Sequence, residues 1–391
     1  MKENTQNNMR TINNHRSNAT LCRHPAAPDV PSPAHVPALI FVKARSFVRG
    51  WPLAGMMALV WALAFVVVLA GCGPAADKQT KAIRTTAAYI AEQVPDPAAD
   101  SSDAGWAVIA FSSLEEAGAL SRKETARIVP EDYAETYYES ARRAVKDKKF
   151  SEKSDGQPGG SFTPTDCARV TMALAASGKN PLSIEGQDIT KPLDRYKTVR
   201  AQGLNAEIFA LIAAGVSGKR LKNSDRYVKD ILAARQPDGG IAPGAAFTSA
   251  GDSSGSAAVR EKSDIDISAM ALQALSLQTE NRDVKKAADR VVRYLSGRQQ
   301  SDGSCGNAES TAQVIIALTM YGRDPDKDKS FRKNGHTLSD GLMAYREKTG
   351  FSHTKGGEVD LMASGQALLA LEAMKLYSSG RQIYGTGKNS G

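Results

Sequence analysis

Cysteine, histidine and tryptophan are scarce in this chain of 391 residues, with 4, 5 and 3 copies. Beyond position 72 only Cys167, Cys305, His336, His353 and Trp106 remain. Two cysteines are too few for a disulfide scaffold. His336 and His353 sit in polar stretches rich in Gly, Lys and Asn, and neither has a cysteine nearby, so no ligand cluster for zinc forms. A strong charge of one sign is missing as well. The chain holds 50 basic and 42 acidic residues, of which residues 1–71 hold 7 and 2. The 320 residues that follow therefore carry 43 against 40, a net of +3. The high isoelectric point owes much to the front of the chain, and no nucleic-acid partner is expected.

What the front does contain is an apolar run, Trp51 to Ala70, preceded by Lys43, Arg45 and Arg49. A basic segment followed by an apolar one is the pattern of an export signal. Leu69-Ala70-Gly71-Cys72 follows at once and resembles the lipobox of bacterial lipoproteins. That resemblance implies cleavage before Cys72, lipid on its thiol, and a membrane partner at the extracytoplasmic face, since two or more acyl chains anchor stably. The alternative is an uncleaved anchor, because about 20 apolar residues can span a bilayer. Residues 1–50 lack apolar periodicity and are expected to be poorly structured, consistent with a start codon assigned too early. Residues 51–71 form the signal segment and lipobox, 72–78 a lipidated linker, 79–384 one helical domain and 385–391 a frayed tail.

Within that domain one helical phrase recurs. Cys167-Ala168-Arg169-Val170-Thr171-Met172-Ala173-Leu174 returns at Ser268 to Leu275, Thr311 to Leu318 and Ser364 to Leu371, with weaker copies at Trp106 to Phe111 and Ala206 to Leu211. Between the copies lie amphipathic segments, approximately Thr80 to Val94, Pro130 to Lys146, Thr190 to Gln202, Ser224 to Arg235, Arg282 to Gly297 and Leu338 to Lys348. Half-exposed helices alternate with more apolar, buried ones. Six such pairs predict an all-α fold, a closed (α/α)6 toroid. Ala110, Ala173, Ala210, Ala274, Ala317 and Ala370 fall at one step of the phrase, where small side chains let inner helices approach. Links such as Gln236-Pro237-Asp238-Gly239-Gly240 and Gln300-Ser301-Asp302-Gly303-Ser304 read as turns, and Ala245 to Lys262 as a long loop. Cys167 and Cys305 belong to facing repeats, with axes about 16–20 Å apart if neighbours are 8–10 Å apart. A disulfide needs Cα atoms within about 7 Å, so two thiols are expected.

Asp264-Ile265-Asp266-Ile267-Ser268 onward to Leu275, and Gln300 to Leu318, resemble the prenyltransferase and squalene-cyclase repeat superfamily. The same phrases are similar to the helical domain of the cobalamin carriers. The resemblance implies the terpenoid-cyclase-like toroid; within that superfamily the fold hosts cyclases, prenyltransferases and pure binders. Class II cyclases protonate an alkene with the middle acid of Asp-X-Asp-Asp. Asp264 and Asp266 match the first two acids but Ile267 replaces the third, so a catalytic role would fall to Asp266; the alternative is a residue of the first helical turn. Few rings besides Trp106, Phe111, Phe209 and Tyr321 occur on the inner helices, against carbocation chemistry.

Asp103, Asp166, Asp264, Glu309, Glu358 and Asp360 precede or open inner helices. They either cap them singly or form an acidic rim that receives a cationic or polyhydroxylated ligand, as in (α/α)6 glycosidases. The balance of residues points to a binder of a hydrophobic or corrinoid-like ligand, or of a protein partner, with no cofactor. The competing readings are a cyclase-like enzyme using Asp266 and a glycan-active enzyme using the rim carboxylates.

Overall fold

The computed structural model describes residues 74–150, 160–243 and 262–385. The apolar run 51–70, Cys72, the loop 244–261 and the tail 386–391 lie outside the described residues. Among the described residues no helix is long and apolar enough to cross a membrane.

Six helices form the inner ring: α2 (Ser102–Ser113), α5 (Pro164–Ala176), α7 (Leu204–Ser217), α9 (Ile265–Ser276), α11 (Ala308–Met320) and α13 (Leu361–Ser378). Each carries one copy of the repeated phrase. Neighbours pack in the order α2, α5, α7, α9, α11, α13, and α13 returns to α2, which closes the ring. Five outer helices back it: α1 (Pro74–Gln93) on α13, α4 (Tyr133–Lys146) on α2, α8 (Ser224–Ala233) on α7, α10 (Arg282–Arg298) on α9, and α12 (Leu338–Met343) on α11. The short α6 (Tyr196–Ala201) also packs on α7. The fold is the α/α toroid.

The matched alanines explain the closure. Ala110, Ala173, Ala210, Ala274, Ala317 and Ala370 are all buried, at positions where a larger side chain would push neighbouring helices apart. Most inner helices begin on a side-chain cap that satisfies an otherwise unpaired N–H. Ser101 accepts from Ala104 N, Thr163 from Asp166 N, Asp264 from Ile267 N, Asn307 from Ser310 N and Asp360 from Ala363 N. Only α7 starts without one, after Gly203 at φ +90°.

The first phrase position has a role that its small size alone does not reveal. Ser268 Oγ accepts from Ile241 N at 2.8 Å, Thr311 Oγ1 from Cys305 N at 2.9 Å and Ser364 Oγ from Phe351 N at 2.9 Å. In three repeats a buried hydroxyl therefore pins the preceding link onto the inner helix. Cys167 holds the same place in α5; neither it nor Cys305 is in a disulfide, and both are buried.

Some boundaries differ from expectation. The expected segment 190–202 splits at Arg195 into a 3-10 turn, Lys191–Asp194, and α6. Helix α12 stops at Met343, and the chain turns toward a two-residue strand, β1 (Phe351–Ser352), antiparallel to β2 (Val359–Asp360). An extra helix, α3 (Arg122–Ile128), is held by a capping box between Ser121 and Glu124. The Ser-x-x-Glu spacing is the signal that could have found it.

Candidate functional site

The inner helices start at one end of the ring. Arg169 of α5 donates to the carbonyl of Ser101 before α2 at 2.7 Å, Thr165 N to Gln202 before α7 at 3.1 Å, and His353 before α13 pairs with Glu309 of α11 at 2.9 Å. That end is the mouth. Gly105 is required there, since a Cβ on it would lie 2.9 Å from Arg169 Cγ.

A cavity of about 270 Å³ runs inward from the mouth and is lined by residues of α2, α7, α9, α11 and α13. Ser102, Asp103, Leu361 and Met362 surround its entrance, and Trp106, Phe209, Met270 and Leu369 supply an apolar wall. The Trp106 and Phe209 rings are 5.9 Å apart and tilted by 58°. Met362, 63% exposed, is the one large apolar side chain left open to solvent among the described residues.

Two glutamines break the apolar wall. Gln273 Nε2 donates to Gln313 Oε1 at 2.7 Å, and Gln313 Nε2 donates to Gln366 Oε1 at 3.1 Å. This chain of amides crosses three consecutive inner helices, and two of its members, Gln313 and Gln366, line the cavity. The cavity is also lined by Tyr384, a buried residue of the segment that returns after α13 and packs on α2, α5 and α13. Its φ of +66° is an uncommon conformation for a bulky residue.

The acidic residues named from the sequence divide. Asp264 and Asp360 are N-caps, and Asp166 completes a capping box with Thr163 while pairing with Arg169 at 3.0 Å. Although burial pushes the Asp166 carboxyl up, the bonds from Thr163 and Arg169 outweigh it and hold it below its ordinary value. Asp103 is exposed at the cavity entrance, Glu358 is exposed in the link before β2, and Glu309 pairs with His353. Glu309 holds the exposed imidazole above its ordinary value.

Asp266 lies in the first turn of α9, on a different depression, whose lining shares no residue with that of the axial cavity. This groove, of about 700 Å³, runs between the Gln236–Asp238 turn and the starts of α9 and α11. Burial raises the Asp266 carboxyl, a bond from Ser310 opposes this, and Asp264 and Glu309 add to the rise. One of its oxygens, Oδ1, is buried without a partner. Cys305 lines the same groove, and burial pushes its thiol up to about 12, far from the range of a reactive thiolate. Among the described residues no group of three His, Cys, Asp or Glu could hold a metal ion.

The sequence reading missed the amide chain, Tyr384 and two buried carboxyls. Glu207 of α7 is raised to about 8, first by burial and then by Asp230, and Glu372 of α13 is raised well above its ordinary value by burial. Both are fully buried, and their oxygens lack partners.

No family model matches the sequence, and no curated protein is similar to it. The structure is similar to that of unsaturated glucuronyl hydrolase from Bacillus sp. GL1, a glycosaminoglycan-degrading enzyme. The TM-score is 0.50 at 12% identity, over 80% of this chain and 100% of that one. At that identity the likeness is one of fold, and it identifies the chain as an α/α toroid.

Proposed function

We propose that this protein is a lipid-anchored extracytoplasmic receptor whose toroid binds a small molecule in the axial cavity without converting it. The observation that carries the reading is the lining: an aromatic pair, Trp106 and Phe209, together with the side-chain amides of Gln313 and Gln366. A ligand with a flat apolar body and a hydrogen-bond acceptor at one edge matches it, with the acidic Asp103 at the entrance. At about 270 Å³ the cavity is at the small end of ligand sites. A corrinoid-like macrocycle would therefore rest on the mouth rather than enter.

Trp106 is the only tryptophan after Cys72, so the fluorescence of the processed protein reports the cavity directly. Flat aromatic amides and carboxylates are expected to quench it saturably. Gly365 lines the cavity, and a Cβ there meets nothing within 4 Å. Gly365→Leu is expected to fill the space and abolish quenching while keeping the fold, since leucine favours a helix over glycine by about 0.5–1 kcal/mol. Saturable quenching that persists in this variant would remove the cavity from consideration.

A second reading is favoured by Asp266. A half-buried carboxyl with a raised pKa beside an open groove suits a general acid, and Asp238, Asp264, Arg298 and Asn307 along the groove offer hydrogen bonds to a glycan. Turnover of an oligosaccharide by the wild type, lost in Asp266→Asn, is the result that would support this reading over the receptor.

A further inference from the structure

We infer that the depression between the Arg235–Ile241 turn and α10 is a binding site for a multivalent oxyanion of the phosphoryl or sulfo class. Its volume is about 610 Å³, and Arg235, Arg290 and Arg293 line it. Arg290 and Arg293 are three apart on α10 and so share a face. The turn is seated against them: Gly239, at φ +92°, would place a Cβ 3.0 Å from the Arg290 carbonyl. Only a residue without a side chain lets the backbone come this close, and that approach brings Arg235 to the same hollow.

The acids nearby are already engaged. Asp238, among the described residues the only carboxylate lining the depression, accepts from Arg298 at 3.1 Å, from Ser263 Oγ at 2.6 Å and from Gly240 N at 3.1 Å. Asp289 of α10 accepts from the Tyr321 hydroxyl at 2.7 Å, and Asp283 pairs with Lys286 at 3.5 Å. Among the described residues no carboxylate pairs with Arg235, Arg290 or Arg293. Three guanidinium groups in one concave space repel one another unless an anion joins them. Their planar forks match the oxygens of phosphate and sulfate two at a time.

The same turn walls the Asp266 groove, since Gln236, Pro237 and Asp238 line both depressions. A ligand larger than one oxyanion would run over Pro237 toward Ser263 and Asn307.

Pyrophosphate titrated calorimetrically into the full-length protein in detergent, at low salt, tests the site. Saturable binding is expected, at least tenfold tighter than for inorganic phosphate, and at least tenfold weaker in Arg290→Ala/Arg293→Ala. Lysine at both positions should recover part of the loss, because charge returns without the fork. A control with the same change in net charge, Lys285→Ala/Lys286→Ala on the same helix, should bind as the wild type does. Absence of saturable binding by the wild type, or an equal loss in the lysine control, would overturn the proposal. Circular dichroism of each variant separates lost binding from lost folding, and Arg235→Gln serves as a third variant should the α10 pair fail to fold.

Discussion

A carboxyl with no partner in a closed interior is held neutral, and Glu372 is one. It is fully buried in the later half of α13, its oxygens make no hydrogen bond, and burial raises it well above its ordinary value. The unfolded chain ionises this group near the ordinary carboxyl value of about 4.3, while the folded chain keeps its proton. Its contribution is therefore fully present below that value and is lost as the pH rises toward the folded-state value. The slope is about −1.4 kcal/mol per pH unit for one such group. Glu372→Gln keeps the shape and removes the titration. It should unfold at higher denaturant than the wild type at pH 7–8 and at the same denaturant near pH 4, measured as urea midpoints. Equal midpoints at both pH values would mean that Glu372 finds a partner.

Elements are joined here by a repeated hydroxyl. Ser268, Thr311 and Ser364 each accept a backbone N–H from the link that precedes their helix. Leaving such a donor buried and unpaired costs about 1–3 kcal/mol. Ser268→Ala, Thr311→Val and Ser364→Ala are each expected to lower stability within that range, whereas Thr311→Ser, which keeps the oxygen, should cost well under half as much. Denaturant melts of the four variants decide it. The same reasoning separates the acids of the inner-helix starts. Asp264 and Asp360 hold helix ends, while Asp266, two residues after Asp264, lines a groove. Spacing placed Asp264 and Asp266 at one helix start; which face of the turn each occupies follows only from the packing of α9 beside α11.

On the scale of the molecule, the first helix sets an orientation. The outer helices run opposite to the inner ones, so α1 ends near the mouth, beside the start of α2, and begins at the other end. Helix α3 follows the far end of α2, and its Glu124 pairs with Arg84, halfway along α1. Cys72 precedes Pro74 by two positions, a reach of about 7 Å at most. On the lipid-anchored reading, the bilayer then lies against the α3 end. The mouth is raised by the length of α1, about 30 Å for 20 residues at 1.5 Å each. A fluorophore at Met362 should stay unquenched by a quencher buried in vesicle lipid, and one at Arg127 of α3 should be quenched. The reverse pattern would turn the mouth toward the membrane, and loss of both membrane binding and labelling in Cys72→Ser tests the anchor separately.

The period and the number of the helical phrases are written in the chain itself. Apolar spacing and matched alanines are local properties, and six alternating pairs with small inner contacts have a closed ring as their compact solution. The lone Trp106 and the missing third acid at Ile267 were legible in the same way. Depth and direction were not. Gln273, Gln313 and Gln366 are far apart in sequence and touch only because α9, α11 and α13 are neighbours in the ring. Tyr384 reaches the cavity because the chain folds back after α13, and Arg235 meets Arg290 and Arg293 because Gly239 lets a turn rest on a helix from the next repeat. Periodicity fixes which face of a helix is buried, but the group that each buried face meets is chosen by ring closure.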